Sequence, residues 1–315
     1  MTTPTVLTNL MAWSHERFPL SQGIFVAVLV ATAIFYGQFL SHNGPMVIGI
    51  KEVAGFFACW SIFLVLRILD EHKDYIEDCI NHPQRVLQSG RIRLIHLKVV
   101  ALACIVFQAV VVLSIDSGVG LTTLYWISVI AWSVLMTFEF FVPKWLHNNQ
   151  LVYGLSHMLI IVFILAWLAQ LGISSDQSAL RTDGLWWLLI MGLSAGCSYE
   201  LTRKAWAITE EKESITSYRR ILGTHGVAWA IAISLIIAIA MSQCMIATIA
   251  PATDTANLFI VQIVVWFVAL IALLNYSLAP TVAHRKRNEL MVSLCMLVIY
   301  LMPLIAMLQQ RSVQW

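Results

Sequence analysis

Nine apolar stretches, each close to the roughly 20 residues that carry a helix across about 30 Å of hydrocarbon, fill this chain from Gln22 nearly to its end. They run over 21–42, 50–69, 96–115, 121–141, 152–172, 185–203, 224–244, 256–276 and 290–309. Inside lipid every backbone N–H and C=O must be satisfied within the protein, which leaves a helical bundle as the fold for stretches of this length. With 59% hydrophobic and 11% charged residues there is little room for a soluble domain. The expectation is an all-α polytopic membrane protein forming one domain over 1–315, with two charged loops near 70–95 and 200–223. The polar leader containing Glu16 and Arg17 lacks the apolar core and small-residue cleavage site of a signal peptide and reads as a cytosolic or interfacial arm.

Charge placement tests the count. If the N-terminus and the loops after the even-numbered spans share one side, only Lys51, Arg181 and Arg311 fall opposite, leaving 16 of the 19 Lys and Arg together. The positive-inside rule makes that side cytosolic and puts the C-terminus on the other face. The net charge of +2 is thus a topology signal spread over the cytosolic loops, with attraction to membrane lipid headgroups a secondary effect and no pointer to nucleic acid. The six cysteines form no CxxC pair, and no zinc, haem or iron–sulfur signature is present.

Against this background one segment stands out: "RILDEHKDYIEDCINHPQRVLQSGRIRL", Arg67 to Leu94. Five of the 17 acidic residues, Asp70, Glu71, Asp74, Glu77 and Asp78, fall within nine positions where the second span leaves the membrane. If the helix continues, Asp70, Asp74 and Asp78 advance about 40° and about 6 Å per step and share a face. Stacked carboxylates repel beside hydrocarbon unless a cation joins them, and a hard divalent ion such as Mg²⁺, which combines one or two carboxylates with phosphate oxygens, suits the pattern. A second charged segment, "YELTRKAWAITEEKESITSYRRILG", supplies Glu200, Arg203, Lys204, Glu210, Glu211 and Glu213 after the sixth span.

The chain resembles the UbiA superfamily of intramembrane prenyltransferases. That family's first motif, N/D-D-x-x-D-x-x-x-D followed by R-P-L-x-x-G, is matched by "DEHKDYIED" and then Arg85, Val86, Leu87 and Gly90, with Glu71 and Val86 replacing the usual aspartate and proline. The second motif, D-x-x-x-D followed by glycine and threonine, is degraded. Setting Ser214 and Ser217 at the last two positions puts Glu210 at the second aspartate and Trp206 at the first, with Glu200 and Glu211 as substitutes.

The resemblance implies nine helices around a central cavity, Mg²⁺ as cofactor and an isoprenyl diphosphate as substrate. The implied metal ligands are Asp70, Glu71, Asp74, Asp78, Glu200, Glu210 and Glu211. Arg67, Lys73, Arg85, Arg203 and Lys204 are the charge partners for the diphosphate. An allylic cation formed there needs a dry cavity and π-faces, for which Tyr75 and Tyr153 lie near the right ends. Asn148, Asn149 and His157 are candidates to orient a lipophilic or aromatic acceptor. Two other readings stay open: a membrane-bound terpene cyclase, in which the prenyl chain captures its own cation, and a transporter with charged helix ends.

Overall fold

The computed structural model describes residues 5–173, 176–211 and 217–315; Glu213 and Ser214 of the second charged segment lie outside them. Thirteen α-helices are present among the described residues: α1 Val6–Arg17, α2 Gln22–Ser41, α3 Ile50–Lys73, α4 Tyr75–Asn81, α5 Leu94–Asp116, α6 Leu121–Thr137, α7 Pro143–Asn148, α8 Gln150–Met158, α9 Ile160–Gly172, α10 Leu185–Arg203, α11 Tyr218–Ile249, α12 Ala252–Leu278 and α13 Val282–Gln310. Extended structure is confined to a two-residue parallel pairing of Met46–Val47 with Val313–Gln314.

Nine helical segments, taking α8 and α9 together, coincide with the nine apolar stretches. Seven are long and apolar enough to cross a membrane; the remaining two are α6, with 17 residues, and α10, with 19. The chain is an integral membrane protein. Helix starts follow local chemistry: Thr5, Ser217 and Thr281 cap α1, α11 and α13 by accepting from Thr8, Arg220 and His284 N–H, and Pro143 opens α7, where a missing N–H costs nothing.

The spanning segments close into a ring. α2 packs on α3, α3 on α5, α5 on α6, α6 on α9, α9 on α10, and so through α11, α12 and α13 back to α2. Across the middle α2 also meets α9, and the contact is backbone on backbone. A Cβ at Gly37 would stand 2.3 Å from the Ala169 carbonyl oxygen, and one at Gly172 would stand 2.1 Å from that of Ile34. Small residues allow this approach, as between membrane helices generally. These glycines lie at the C-terminal ends of α2 and α9, so the contact plugs the ring at that end, away from the end where α3 and α10 terminate.

At that opposite end a satellite core of Trp13, Ile68, Val86, Leu87, Ile92 and Leu97 docks α1 onto α3 and the 82–93 loop. Glu16 accepts from Val86 N–H at 3.0 Å, and Asn9 exchanges hydrogen bonds with Arg91. The leader is therefore a packed helix. Gly90 ends the loop turn at φ +77°, a conformation that strains any L side chain, which explains a glycine there in structural terms.

Candidate active site

The helix carrying the acidic segment breaks once, at Asp74 (φ −93°, ψ 7°), between α3 and α4. The i→i−4 ladder nevertheless continues through the break: Asp74 N–H donates to Asp70 O at 2.9 Å, Asp78 to Asp74 at 2.8 Å and His82 to Asp78 at 2.8 Å. The backbone thus keeps the inferred spacing while the side chains divide into two sets.

Asp70 and Asp74 form the open set. The Asp70 side chain is 57% exposed and meets Arg67 only at 3.9 Å. Asp74 is exposed and has no ion pair among the described residues. Its carboxyl is nevertheless shifted up, chiefly by desolvation, with Lys73 and Lys204 opposing and Asp78 reinforcing the shift. Asp74 is thus open to solvent and at the same time partly desolvated by the protein around it.

Glu71 and Asp78, expected as metal ligands with the others, are the closed set, each held by arginines. The Glu71 side chain has no solvent exposure and is held by Arg17 Nε at 2.5 Å and Arg67 Nη2 at 3.5 Å. Asp78 is paired with Arg85 Nη1 at 2.8 Å and Arg17 Nη2 at 3.8 Å. Position 71 is one residue, about 100°, around the helix from Asp70 and so faces α1. Arg17, which joins the two, was counted only as a topology charge by sequence reasoning.

From α10, Glu200 is buried and accepts from both cations that follow it: Arg203 Nη2 at 2.8 Å and Lys204 Nζ at 2.8 Å. These cations reach the acidic side. Arg203 lies in electrostatic range of Asp70, and Lys204 of Asp74. Lys204 also sits 5.4 Å from the Tyr153 ring centroid and 5.8 Å from that of Tyr218.

Lys73 turns to a different group. Its ammonium donates to Tyr153 Oη and pairs with Glu139 at 2.9 Å, while His147 Nε2 lies 3.2 Å from the same Glu139 oxygen. Glu139 was missed by sequence reasoning. It opens three consecutive non-glycine residues with φ of +49°, +52° and +60°, Glu139–Phe141, a conformation costing about 1–2 kcal/mol per residue. Strain of that size at a charged cluster is a recognisable mark of a functional position.

Behind Tyr153 an aromatic wall descends into the bundle. His157 stacks on Tyr153 at 4.2 Å, Phe140 stands 6.2 Å from His157, and Trp132 contacts both Phe140 and Phe163. His157 Nδ1 lies 2.8 Å from the Tyr153 carbonyl oxygen, which assigns the proton to Nδ1 and leaves the Nε2 lone pair unused. Tyr75 does not join this wall; it packs on the satellite core with Trp13 and Ile68. Asn148 and Asn149 line a surface groove with His147, Leu151 and Ile221, and Asn149 spends its amide on Trp145 O at 2.8 Å.

The second charged segment forms a separate network. Glu210 pairs with Arg285 at 2.8 Å and accepts from Ala207 N–H; Glu211 pairs with Arg219 at 2.9 Å and Arg220 at 3.0 Å. Tyr276 sits among these charges and donates to Trp206 O at 3.0 Å, while Ile208 N–H donates to Pro280 O, docking the loop on the α12–α13 connection. Among the described residues no three His, Cys, Asp or Glu side chains converge as a ready metal cage. The two most open carboxylates of α3, Asp70 and Asp74, suit an ion that takes one or two carboxylates and completes its shell with phosphate and water, as Mg²⁺ does.

No family model and no curated protein matches the chain. Solved structures do. A digeranylgeranylglyceryl phosphate synthase superposes with a TM-score of 0.60 at 14% identity, covering 96% of this chain and 99% of that one. A UbiA homolog from Aeropyrum pernix K1 in its apo form superposes with a TM-score of 0.61 at 12% identity, covering 90% and 97%. The fold is therefore that of the UbiA prenyltransferases, as the acidic segment led one to expect.

Proposed function

We propose that this chain transfers a prenyl group from an isoprenyl diphosphate to a lipophilic or aromatic acceptor within the membrane. The observation that carries the reading is the pair Asp70, met by Arg67 only at 3.9 Å, and Asp74, without an ion pair among the described residues, near Arg203 and Lys204 at the end of the ring away from the α2–α9 plug. The UbiA-type fold supports it.

Asp70 and Asp74 would hold Mg²⁺, whose positive charge neutralises the diphosphate oxygens and eases departure of the leaving group. The protein's own cations then fix the head by charge-assisted hydrogen bonds, which are about twice as strong as neutral ones. The prenyl tail extends into the bundle, where the wall of Tyr153, His157, Phe140 and Trp132 excludes water and presents π-faces to positive charge as the allylic C–O bond opens. His157 Nε2 is placed to accept the proton that the acceptor gives up on alkylation. The N-terminus and both charged loops are assigned to the cytosolic side.

The experiment is incubation of purified protein and Mg²⁺ with prenyl diphosphates of increasing length, with and without membrane lipids and aromatic acceptors, followed by mass analysis. Diphosphate release that depends on an acceptor supports transfer. A terpene hydrocarbon or alcohol made without acceptor would replace transfer by cyclisation, and no diphosphate release with any substrate would end both readings. Asp74→Asn is expected to lower turnover about a hundredfold, as loss of a charge-stabilising group does.

A further inference from the structure

We propose that Arg203 and Lys204, held by Glu200, bind the face of the diphosphate that a second metal would otherwise occupy, so that one metal, on Asp70 and Asp74, completes the site. The inference rests on the prenyl-diphosphate reading above and concerns how that substrate is held.

A second metal needs carboxylates that it can take without leaving other charges stranded. Each candidate is already committed. Glu200 spends one oxygen on Arg203 and the other on Lys204, both at 2.8 Å. Glu211 divides its oxygens between Arg219 and Arg220, and accepts in addition from Ser217 Oγ at 2.5 Å. Glu210 presents Oε2 to both Arg285 and the Ala207 N–H. A divalent ion entering at Glu200 or Glu211 would displace cations, and one taking the other oxygen of Glu210 would sit beside the Arg285 guanidinium. Trp206, where the resemblance calls for an aspartate, offers no oxygen to compensate and is tied through its carbonyl to Tyr276.

What replaces the ion is on the page. Glu200 engages only the Nε and Nη2 edge of Arg203, so Nη1 makes no hydrogen bond among the described residues, and half of the Arg203 side chain is solvent-exposed. Lys204 gives one ammonium direction to Glu200 while lying near the Tyr153 and Tyr218 rings. Both cations lie in electrostatic range of the open aspartates, Arg203 of Asp70 and Lys204 of Asp74. A diphosphate between the two sets meets a carboxylate-held metal on one side and a guanidinium–ammonium pair on the other. Fixed cations do this without adding a dissociable ion, and the planar guanidinium suits two phosphate oxygens at once.

The test counts ions directly. Full-length protein in detergent micelles is equilibrated with Mn²⁺ and inorganic pyrophosphate, separated from free ligand, and assayed for both, with bound Mn²⁺ followed by electron paramagnetic resonance. The wild type should retain about one Mn²⁺ per pyrophosphate, the stoichiometry that a single carboxylate pair sets. Glu210→Gln and Glu211→Gln should keep that ratio and the Mn²⁺ affinity, while Asp74→Asn loses both ligands. Arg203→Gln and Lys204→Met should each weaken pyrophosphate retention about tenfold, the loss of a charge-assisted hydrogen bond, and leave binding of Mn²⁺ alone unchanged. Arg203→Lys, which keeps the charge, separates loss of the contact from misfolding by partial recovery. Two Mn²⁺ per pyrophosphate, or loss of an ion in Glu210→Gln or Glu211→Gln, would overturn the inference and leave the prenyltransferase reading intact. If the wild type neither retains pyrophosphate nor releases it from a prenyl diphosphate, the underlying reading itself falls.

Discussion

Glu71 and Asp74 are three positions apart, carry the same charge and have opposite fates. Glu71 is a buried anion shared by Arg17 and Arg67, and its Oε2 has no hydrogen-bond partner, so Glu71→Gln removes the charge that justifies two arginines at the α1–α3 junction. Breaking a buried pair from one side costs about 3 kcal/mol or more, and the variant should melt several degrees lower while its Mg²⁺ dependence of turnover stays that of the wild type. Asp74→Asn should do the reverse, with an unchanged melting temperature and a lost metal response. Glu71→Gln behaving like Asp74→Asn would restore Glu71 to the metal ligands. Glu139 makes the second residue-scale case, because its contacts run through Lys73. Glu139→Gln and Lys73→Met should each raise KM for the prenyl diphosphate, and the double variant should be no worse than the weaker single one; additive losses would separate the two residues. Spacing along one helix made Asp70 and Asp74 legible. Arg17 and Glu139 were not, since Arg17 meets a partner 54 positions away and Glu139 depends on a left-handed turn that no residue type in "FEFF" requires.

At the scale of elements, hydropathy located the seven helices that are long and apolar enough to cross a membrane, because lipid forces each one to satisfy its own backbone, but it placed the ends by where the oil stops. Hydrogen bonding carries on further. The second stretch, read as 50–69, is a helix to Lys73, and the seventh, read as 224–244, runs on to Ile249 from a break at Gly223 (φ +72°) that parts it from the turn bearing Tyr218. The extra turn of α3 bears Asp70 and Lys73, so part of the site sits in the difference between apolar length and helical length. The docking of α1 was hidden for another reason: its buried residues, Asn9 and Trp13, are too few to mark an apolar face. The crossing of α2 on α9 was equally illegible, since a glycine in a membrane helix signals close approach without naming its partner. That crossing gives a sharp expectation. Gly172→Ala sets a methyl 2.1 Å from a backbone oxygen with no flexible side chain to yield, so α2 and α9 must separate. The protein should lose several degrees of thermal stability in detergent. Gly196→Ala, whose Cβ would meet Met158 Sδ at an ordinary 3.5 Å, is the matched control and should be close to neutral. Equal effects of the two would remove the plug from the account of the ring.

For the molecule as a whole, one asymmetry decides how chemistry and membrane are related. The ends of α3 and α10, which carry the open aspartates and their facing cations, lie at the same end of the ring as the basic loops, away from the Gly37–Gly172 contact. If the basic end is cytosolic, the proposed reaction would take its water-soluble diphosphate head from the cytosol and keep tail and acceptor among the helices, with the α2–α9 contact closing the other end. Sidedness is therefore a condition on the mechanism as well as a topology label. It can be read with two exposed positions in a background freed of the six native cysteines, which form no disulfide. Ser89→Cys tests the loop after α4, and Asp183→Cys tests the connection before α10. A membrane-impermeant maleimide should label the first in inverted vesicles only and the second in right-side-out vesicles only. The reverse pattern would set Asp70 and Asp74 facing the outside, where the proposed reaction would have to draw its diphosphate from a compartment that the charge distribution argues against. Labelling of both positions from one side would mean an even number of crossings between them, which is incompatible with α5, α6 and the α8–α9 segment each crossing once.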